Sequence, residues 1–518
     1  MLRNFLTVGS WTMLSRVLGL VRDQLLAAFL GAGPVQDAYL IALRLPNMFR
    51  RLFGEGAFNA AFVPMFTERY ETKGPQPALR FAGQALSGLM LWLALLTVLA
   101  EIFMPLVVSF IGSGLTGTRF EIAVHLSRIT FPYMLLICGA ALVSGILNGL
   151  GKFTAAAAAY VTFNIIGIAA ILLGALVWHN TAVVSAWGVT LSGIVQFGAL
   201  YWAAHRAGMG PHLTWPSLSA DMRALLRRMG PGLVGSGVTQ INLTVDMIIA
   251  THLPVGTPSI LYFADRINQL PLGVLGSAAG TALLPLLTRH IANNDRAAVH
   301  SSVNRAIDYT LLLTLPAMIG MIVLAFPIMA ALFSYGHFTV ADALLSGQCL
   351  QAYALGLPAF VLIKVLSPAF FAEGDTVTPV RIGFFTLGLN LVLNLLLYRP
   401  LGHIGPPLAS TIAAFANCTL LAIILHRRGL FIADPLLKGR ALRITGAAVM
   451  MALWVAASEK LAAPDLPSWH GVWRFSMLMA LIIFGMLVYV MTLDALKVVR
   501  LRDVAVAFQS RLNRRRTR

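Results

Sequence analysis

Charged residues are scarce in this chain of 518 residues: they make up 11% of it, whereas 58% of its residues are hydrophobic. A soluble globular protein carries about a quarter charged residues, so this chain cannot cover a water-facing surface. Intrinsic disorder is excluded as well, because disordered segments have low hydrophobicity. The mean hydropathy of +0.79 therefore indicates an integral membrane protein.

Cysteines and catalytic motifs are also scarce. The three cysteines, Cys138, Cys349 and Cys418, lie far apart in apolar runs and show no metal-binding or redox spacing. No H-E-x-x-H or G-x-S-x-G motif occurs, and the run from Gly145 to Lys152 has the wrong spacing for a phosphate-binding loop. The few acidic residues are scattered along the chain. We therefore predict a protein that is not an enzyme and has no metal centre.

Long apolar runs recur along the whole chain, and each is close to the roughly 20 residues that a helix needs to cross a bilayer. The runs are continuous, whereas the strands of a membrane barrel alternate between apolar and polar residues. About 14 candidate spans can be counted, separated by turn sequences such as residues 31–34 and 254–256. The predicted fold class is an all-α integral membrane protein with about 14 transmembrane helices.

The distribution of basic residues predicts the orientation of these spans. With the N-terminus inside and the spans alternating, about 26 basic residues fall on the inside and about four on the outside. This predicts a multi-pass protein with both termini in the cytoplasm. The net charge of +18 is then a topology signal, so no nucleic acid partner is expected. The basic tail after residue 497 could also contact anionic lipid.

An internal repeat relates the two halves of the chain at an offset of about 222 residues. Residues 30–34 and 39–46 resemble residues 253–256 and 262–271. Parallel repeats of this kind are a known transporter plan. We predict an N-terminal lobe over residues 1–220 with spans 1–6 and a C-terminal lobe over residues 221–430 with spans 7–12. Residues 431–518 then form two additional helices and a basic cytoplasmic tail.

Some basic residues cannot be assigned to the topology signal, because they fall within or near spans: Arg16, Arg22, Arg44, Arg50, Arg51, Arg128, Arg266 and Lys364. An arginine at mid-bilayer costs at least about 2.5–3.5 kcal/mol and persists where it faces a partner or a water-filled cavity. Pairing with neighbouring acids, such as Arg22 with Asp23, is one explanation. The other explanation is a basic cavity that binds a phosphate or diphosphate. It is supported by the number of these basic residues, which exceeds that of the nearby acids.

A second polar set consists of Asp246, Asn390 and Asn394. The two asparagines are four residues apart and share a helix face. One carboxylate with amide oxygens could hold a sodium ion or relay a proton. Polar contacts between helices explain the same residues equally well.

Several runs of residues resemble the MurJ (MviN) family of lipid II flippases, which belongs to the multidrug/oligosaccharidyl-lipid/polysaccharide exporter superfamily. The runs are residues 15–19, 22–23, 31–33, 37–38, 45–47, 50–51, 55–58, 61–64, 262–266, 273–276 and 364–366. The resemblance covers essentially the whole chain. It implies two six-helix lobes in a V-shaped arrangement, plus two C-terminal helices that form a groove for a polyprenyl tail.

The resemblance also implies roles for particular residues, each matched by its position in this chain. Substrate-binding roles are expected for Ser15, Arg16, Arg22, Asn47, Arg50 and Arg266. Gating roles are expected for Asp37 and Glu55, and a cation site is expected at Asp246, Asn390, Asn394 and Ser410. Two departures weaken parts of this assignment: Gln269 stands where some members carry a glutamate, and Asn394 replaces a carboxylate of the cation site.

The predicted function is flipping of undecaprenyl-diphosphate-linked peptidoglycan precursor, lipid II, by alternating access from the cytoplasmic to the periplasmic leaflet of the bacterial inner membrane. A flippase for another polyprenyl-linked saccharide is the alternative. A cation-coupled drug exporter is less favoured, because the charges within the spans are mainly basic. The expected partners are lipid II, membrane lipids and cell-wall synthesis proteins, and the protein is expected to be a monomer. No cofactor is expected beyond a coupling sodium ion or proton and the membrane potential.

Overall fold

The structure is a computed structural model that describes residues 2–54, 57–462 and 471–499. Every regular element in these ranges is helical, which confirms the predicted all-α class. The helices are α1 (Leu2–Leu30), α2 (Pro34–Phe49), α3 (Ala57–Lys73), α4 (Pro75–Ile102), α5 (Met104–Ile111), α6 (Thr118–Thr130), α7 (Tyr133–Gly149), α8 (Phe153–Leu176), α9 (Thr181–Arg206), α10 (Ala220–Thr251), α11 (Thr257–Ala292), α12 (Arg296–Val323), α13 (Ala325–Phe333), α14 (Val340–Leu355), α15 (Leu357–Ala372), α16 (Val377–Leu401), α17 (Gly405–Arg427), α18 (Pro435–Ala462) and α19 (Val472–Ala495).

Nine helical stretches in the described part of the chain are long and apolar enough to cross a membrane. Three of these stretches join two consecutive helices: Thr118–Gly149, Val340–Ala372 and Val377–Arg427. The protein is therefore a multi-pass membrane protein. Helices α1, α2, α10 and α11 lie outside the nine, and they carry most of the residues to which we assign a binding or gating role. The count of about 14 spans stays a prediction.

The chain divides into two compact units. Unit 1 consists of Met1–Ser259 with Tyr335–Thr339, and unit 2 consists of Ile260–Ser334 with Val340–Arg518. The boundaries predicted from the repeat, after residues 220 and 430, stay predictions.

The core of unit 1 is built on an aromatic column along α3. Phe58, Phe62 and Phe66 are spaced four residues apart, so they share one helix face, and their ring centroids are 5.4 and 5.8 Å apart. Phe81 of α4 stacks on Phe62 at 5.5 Å. All four side chains are buried. The column fixes α3, and with it the end of the segment that follows α2.

Between α2 and α3 the chain forms a five-residue π-helix, Arg50–Gly54. A π-turn widens the helix by one residue and shifts the direction of the side chains that follow, and such turns are frequent at functional sites. Arg50 is its first residue, so this local change of helix geometry sets the direction of its side chain.

In unit 2, α18 and α19 are held by three polar contacts with α12 and α13. Arg440 pairs with Asp308 at 3.0 Å. The Tyr489 hydroxyl donates to the carbonyl of Leu312 at 2.7 Å. Arg474, which is buried, donates to the carbonyl oxygens of Ala330 at 3.2 Å and Ser334 at 3.4 Å. The last contact places a cation at the C-terminus of α13, where the helix dipole is negative.

Candidate functional site

Ser15 lies at the contact between α1 and α8. Its hydroxyl donates to the Tyr160 carbonyl at 3.5 Å. The side-chain amide of Asn164 donates to the Ser15 carbonyl at 3.0 Å and to the Ser15 hydroxyl at 3.2 Å. These bonds hold the middle of α1 against α8 and fix the direction of the residues that follow.

Arg22 is packed into the same contact about two turns later. Its guanidinium pairs with Asp23 at 2.9 Å and lies 5.1 Å from the centre of the Phe163 ring. The aliphatic part of the side chain lies over Gly167, where an added Cβ atom would come within 3.0 Å of it. The Asp23 side chain is fully buried and that of Arg22 is 15% exposed. Pairing between neighbours, one of the two explanations for these arginines, is therefore present at Arg22.

Arg16 differs from Arg22 in its surroundings. It is partly buried, and it makes no hydrogen bond or ion pair with any residue that the structure describes. Arg16 and Arg22 are six residues apart, so they lie within about 120° of each other around α1. Near the same contact with α8, the helix thus carries one cation that is neutralised and one that has no partner among the described residues.

A small, partly open pocket lies inside unit 1. Its charged residue is Arg50, and its other polar residues are Ser144, Tyr160 and Gln196. Small side chains of α7 and α8, among them Ala140 and Ala156, make most of the remaining wall. The Arg50 guanidinium also donates to Asn47 at 3.5 Å. The sequence-predicted residues Asn47 and Arg50 are therefore adjacent, and Arg50 stands at the wall of this pocket.

Asp37 lies near the start of α2 and is fully buried. Its carboxylate accepts hydrogen bonds from the backbone N–H of Gly256 at 2.8 Å and from Ser259, through the backbone N–H at 3.1 Å and the hydroxyl at 2.6 Å. Arg119 pairs with it at 3.0 Å. One backbone donor, Gly256, directly precedes α11 and the other, Ser259, is in its first turn, so Asp37 caps that helix and its charge meets the positive end of the helix dipole.

The turn before α2 and the turn before α11 are in direct contact, and these are the two turns that the predicted repeat pairs. Gly256 has a φ of +91°, and a Cβ atom there would lie 2.5 Å from the carbonyl oxygen of Ala32. A second segment reaches the end of α1 from residues 335–339: the His337 backbone N–H donates to the Ala28 carbonyl at 2.8 Å. The end of α1 and the start of α2 are thus fastened by two segments that come much later in the chain.

The partners of Asp37 were not predicted as functional residues. Arg119, Gly256 and Ser259 are 82 to 222 residues away from it in sequence. The sequence does set Arg119 apart, because it is one of about four basic residues that the predicted topology places on the outside. A basic residue on that side is unusual.

In unit 2, Arg266 is a partly buried residue of α11. The amide of Gln269 donates to the carboxylate of Asp265, one turn earlier on the same helix. The glutamine that departs from the family pattern therefore neutralises no charge, and it binds the acid next to Arg266. Lys364 of α15 lies over Gly276, where an added Cβ atom would come within 2.6 Å of the lysine side chain.

Three of the four residues of the predicted cation site are brought together on α16 and α17. The Asn394 amide donates to the side-chain oxygen of Asn390 at 2.9 Å, and the Asn390 amide donates to the Ser410 hydroxyl at 3.1 Å. Both asparagines are fully buried. These residues offer neutral oxygens, and two of those oxygens accept hydrogen bonds in this structure. Asp246, the fourth residue of the predicted cation site, belongs to unit 1. Glu55, the second predicted gating residue, lies outside the described residues.

The fold defines the class of protein first. The structure resembles that of an inward-facing MATE family multidrug resistance transporter of the MOP superfamily with a TM-score of 0.70, at 18% identity over 82% of this chain and 95% of the other. A lipid II flippase MurJ structure in an inward closed conformation matches with a TM-score of 0.80, at 26% identity over 96% of this chain and 99% of the other. The protein is thus a membrane transporter of this fold.

The family follows from the sequence. The family model described as lipid II flippase MurJ matches residues 26–467. A probable lipid II flippase MurJ of Rhizobium tropici is 37% identical over 89% of this chain and 87% of its own length. That of Rickettsia prowazekii is 34% identical over 96% and 98%. The chain belongs to the MurJ family of lipid II flippases, which confirms the resemblance inferred from its motifs.

Proposed function

We propose that this protein flips lipid II across the membrane and that the arginines of α1 hold the lipid's diphosphate. The observation that carries the residue assignment is Arg16: a partly buried cation in the predicted first span, without a partner among the described residues. An uncompensated cation of this kind is expensive unless it faces water or an anion. A guanidinium donates two parallel hydrogen bonds to a phosphate, which suits this site to a diphosphate.

Arg22 and Arg50 extend the basic site within unit 1. Arg22 is already paired with Asp23, so it contributes less net charge than Arg16, and a diphosphate would compete with Asp23 for its guanidinium. Arg50 stands at the wall of the pocket that also contains Ser144 and Tyr160, and these hydroxyls can donate to further anionic oxygens. Arg266 supplies the corresponding cation in unit 2. We propose that Ser15 and Asn47 position Arg16 and Arg50 through the contacts described above.

Alternating access requires that some contacts break and re-form, and the Asp37 network is the best candidate for such a lock. Its carboxylate accepts hydrogen bonds from Gly256 and Ser259 at the start of α11, and it pairs with Arg119. All of them must lose this acceptor, or move with it, if α2 and α11 separate. A lock made of four hydrogen bonds to one charged group opens as a unit, which suits a gate with two discrete states. Glu55 remains a proposed gating residue.

We propose that the protein resides in the bacterial inner membrane with both termini in the cytoplasm, as the distribution of basic residues favours. An inside-negative membrane potential favours outward movement of an anionic headgroup by about 2.3 kcal/mol per charge and 100 mV. We propose this potential as the driving force, with coupling to sodium or a proton through Asp246 as the alternative. A monomer that contacts membrane lipids and cell-wall synthesis proteins completes the proposal.

The test replaces Arg16, Arg22, Arg50 and Arg266 singly by alanine and measures lipid II at the outer face of the membrane. Arg80→Ala is the matched control, because Arg80 is exposed near the start of α4. Each site variant is expected to be present in the membrane at the control level and to lower outer-face lipid II at least about tenfold, the effect of 1.4 kcal/mol. Normal exposure of lipid II in all four site variants would overturn the residue assignment.

A further inference from the structure

The connection between α9 and α10 is an irregular segment that is firmly attached to α4. From Met209 to Ser219 the chain has no regular structure. The Thr214 backbone N–H donates to the Ser87 hydroxyl at 2.9 Å, and the Ser219 hydroxyl donates to the Gln84 side-chain oxygen at 3.1 Å. We call residues 209–219 the strap.

Two further contacts hold the first half of the strap. The Tyr201 hydroxyl of α9 donates to the Pro211 carbonyl at 3.1 Å. The His212 carbonyl lies against Gly83 of α4, where an added Cβ atom would come within 2.4 Å of it. The absence of a side chain at position 83 is therefore what lets the strap lie this close to α4.

Three of the exposed side chains of the strap are large and apolar. Leu213 is 68% exposed, Leu218 is 73% exposed and Trp215 is 92% exposed. Irregular backbone facing lipid does not occur within the hydrocarbon core, because its polar groups would lack partners. Tryptophan, in contrast, is enriched at the boundary between the membrane and water. The strap therefore fits the interfacial layer, with these three side chains directed to lipid.

Basic residues surround the strap. The first three turns of α10 carry Arg223, Arg227 and Arg228, which are exposed and make no hydrogen bond or ion pair in the part of the chain that the structure describes. Before the strap, Arg206 lies 4.6 Å from the ring centre of Trp202, which is 60% exposed.

Acidic residues at this end of unit 1 do not cancel that charge. Asp221, at the start of α10, is already paired with Arg69 at 2.6 Å. The other acids nearby, Glu68 and Glu71 of α3, form no ion pair with these arginines within the described ranges. A surface with exposed tryptophans and leucines beside three exposed arginines matches the chemistry of an anionic lipid headgroup above its acyl chains.

We infer that residues 206–228 form a docking surface for anionic phospholipid. Leu213, Trp215 and Leu218 enter the interfacial layer, and Arg223, Arg227 and Arg228 bind lipid phosphates. This surface is separate from the basic site of α1, and its occupant is a membrane phospholipid that is not transported. Since the strap joins α9 to α10, the bound lipid holds this connection at the membrane surface.

Lipid selectivity tests the arginines. The full-length protein would be purified in detergent, mixed with dioleoyl-phosphatidylglycerol or dioleoyl-phosphatidylcholine, and examined by native mass spectrometry. The wild type is expected to retain phosphatidylglycerol preferentially, and R223Q/R227Q/R228Q to lower that preference more than about tenfold, since each arginine near an anionic surface contributes about fivefold. R289Q/R296Q/R427Q is the matched control, because these three arginines are also exposed.

An unchanged preference for phosphatidylglycerol in R223Q/R227Q/R228Q would overturn the proposal, as would an equal loss in the control variant. If the triple variant does not fold, the single variant Arg227→Gln is measured, with an expected loss of about fivefold. Lipid II exposure at the outer face is also measured in Arg227→Gln. Exposure at the wild-type level would show that phospholipid binding at this surface can be lost without loss of the proposed transport.

The position of Trp215 is tested in vesicles of phosphatidylcholine with and without phosphatidylglycerol. The fluorescence that is lost on Trp215→Leu isolates this tryptophan from the other eight. That component is expected to be quenched by brominated lipid and shielded from aqueous iodide. Quenching by iodide alone would mean that the strap faces water, and protection from both quenchers would mean that a protein covers it; either result overturns the proposal.

Discussion

Unit 1 buries two carboxylates in addition to amides, whereas the described part of unit 2 buries amides and no carboxylate. Asp23 and Asp37 are both fully buried in unit 1, and each is paired with an arginine, Arg22 or Arg119. In unit 2 the fully buried polar side chains of α16 are Asn390 and Asn394, which bond to each other and, through Asn390, to Ser410. Both arrangements satisfy polar groups within a membrane-spanning fold.

The two arrangements differ in how strongly they respond to change. Removing one partner of a buried ion pair costs about 3–5 kcal/mol, because the remaining charge stays buried. Removing one partner of a neutral hydrogen bond costs about 1–3 kcal/mol. An approaching anion also attracts or repels charged groups strongly, whereas it interacts only weakly with neutral amides. We therefore expect unit 1 to hold the switchable contacts and unit 2 to hold fixed ones.

The largest effect is expected at Asp37. Asp37→Asn removes the charge that neutralises Arg119 and weakens the cap of α11, so we expect a loss of about 3 kcal/mol or more in the free energy of unfolding. Thermal or denaturant unfolding in detergent measures it. The control is Asp221→Asn, which breaks the pair with Arg69, where the Asp221 side chain is 48% exposed and the expected loss is about 1 kcal/mol or less. Equal losses in the two variants would contradict the difference between buried and exposed pairs.

A smaller effect is expected at the amides of unit 2. Asn394→Leu keeps the size of the side chain and removes the donor to Asn390, leaving a buried acceptor that costs about 1–3 kcal/mol. Unfolding measurements check this value.

A measurement with different cations tests whether Asn390 and Asn394 form a fixed contact or a cation site. If the amides form a fixed contact and not a cation site, the wild-type melting temperature should be the same in sodium and in potassium. A sodium-dependent rise in the wild type would show that the asparagines hold an ion. Asn394→Asp is the comparison variant, because it places a carboxylate among these neutral oxygens.

The next effect concerns a single neutral hydrogen bond in unit 2. Pro316 has no N–H, so the carbonyl of Leu312 lacks its helical donor, and the Tyr489 hydroxyl donates to it instead. Tyr489→Phe should cost about 1 kcal/mol in the free energy of unfolding. In the Pro316→Ala background the helix supplies the donor, so the cost of Tyr489→Phe should fall close to zero. The same cost in both backgrounds would refute this explanation of the bond.

The smallest effect is expected at the turn between α15 and α16. Hydrogen bonds from Thr378, and then Arg428, hold the pKa of Asp375 well below its usual value. A lowered folded-state pKa contributes stability above the unfolded pKa of about 3.9, and this is lost as the pH falls through the folded pKa. Asp375→Asn should therefore cost about 1 kcal/mol or less between pH 5 and 8. The difference from wild type should shrink below about pH 4, and a difference that grows on acidification would contradict the assignment.

Much of the fold could be predicted, because it depends on local properties. Continuous apolar runs indicate membrane helices, and the class needs no long-range information. The number of spans was harder, since helices such as α1 and α11 contain charged residues. These helices are long enough to cross a membrane, but their charged residues make them less apolar than a typical span.

The site could be predicted only in part. Arg16, Arg22 and Asp37 are recognisable from composition and motif, because charge within an apolar run is a local signal. Their partners are not: the bonds from Ser259 to Asp37 and from Asn164 to Ser15 join residues 222 and 149 positions apart. The direction of Arg50 depends on the π-helix that begins there, a geometry for which the sequence carries no distinct pattern.

Direct binding of lipid II by purified variants tests the central claim that the arginines of α1 hold the diphosphate. The measurement is the Kd of the wild type, of Arg16→Gln and of the matched surface variant Arg80→Gln, all in the same detergent and salt. A hydrogen bond to a charged group contributes about 1.5–3 kcal/mol, so Arg16→Gln should raise the Kd at least about tenfold, while Arg80→Gln should leave it unchanged. An unchanged Kd in Arg16→Gln, with the protein folded, would contradict the claim.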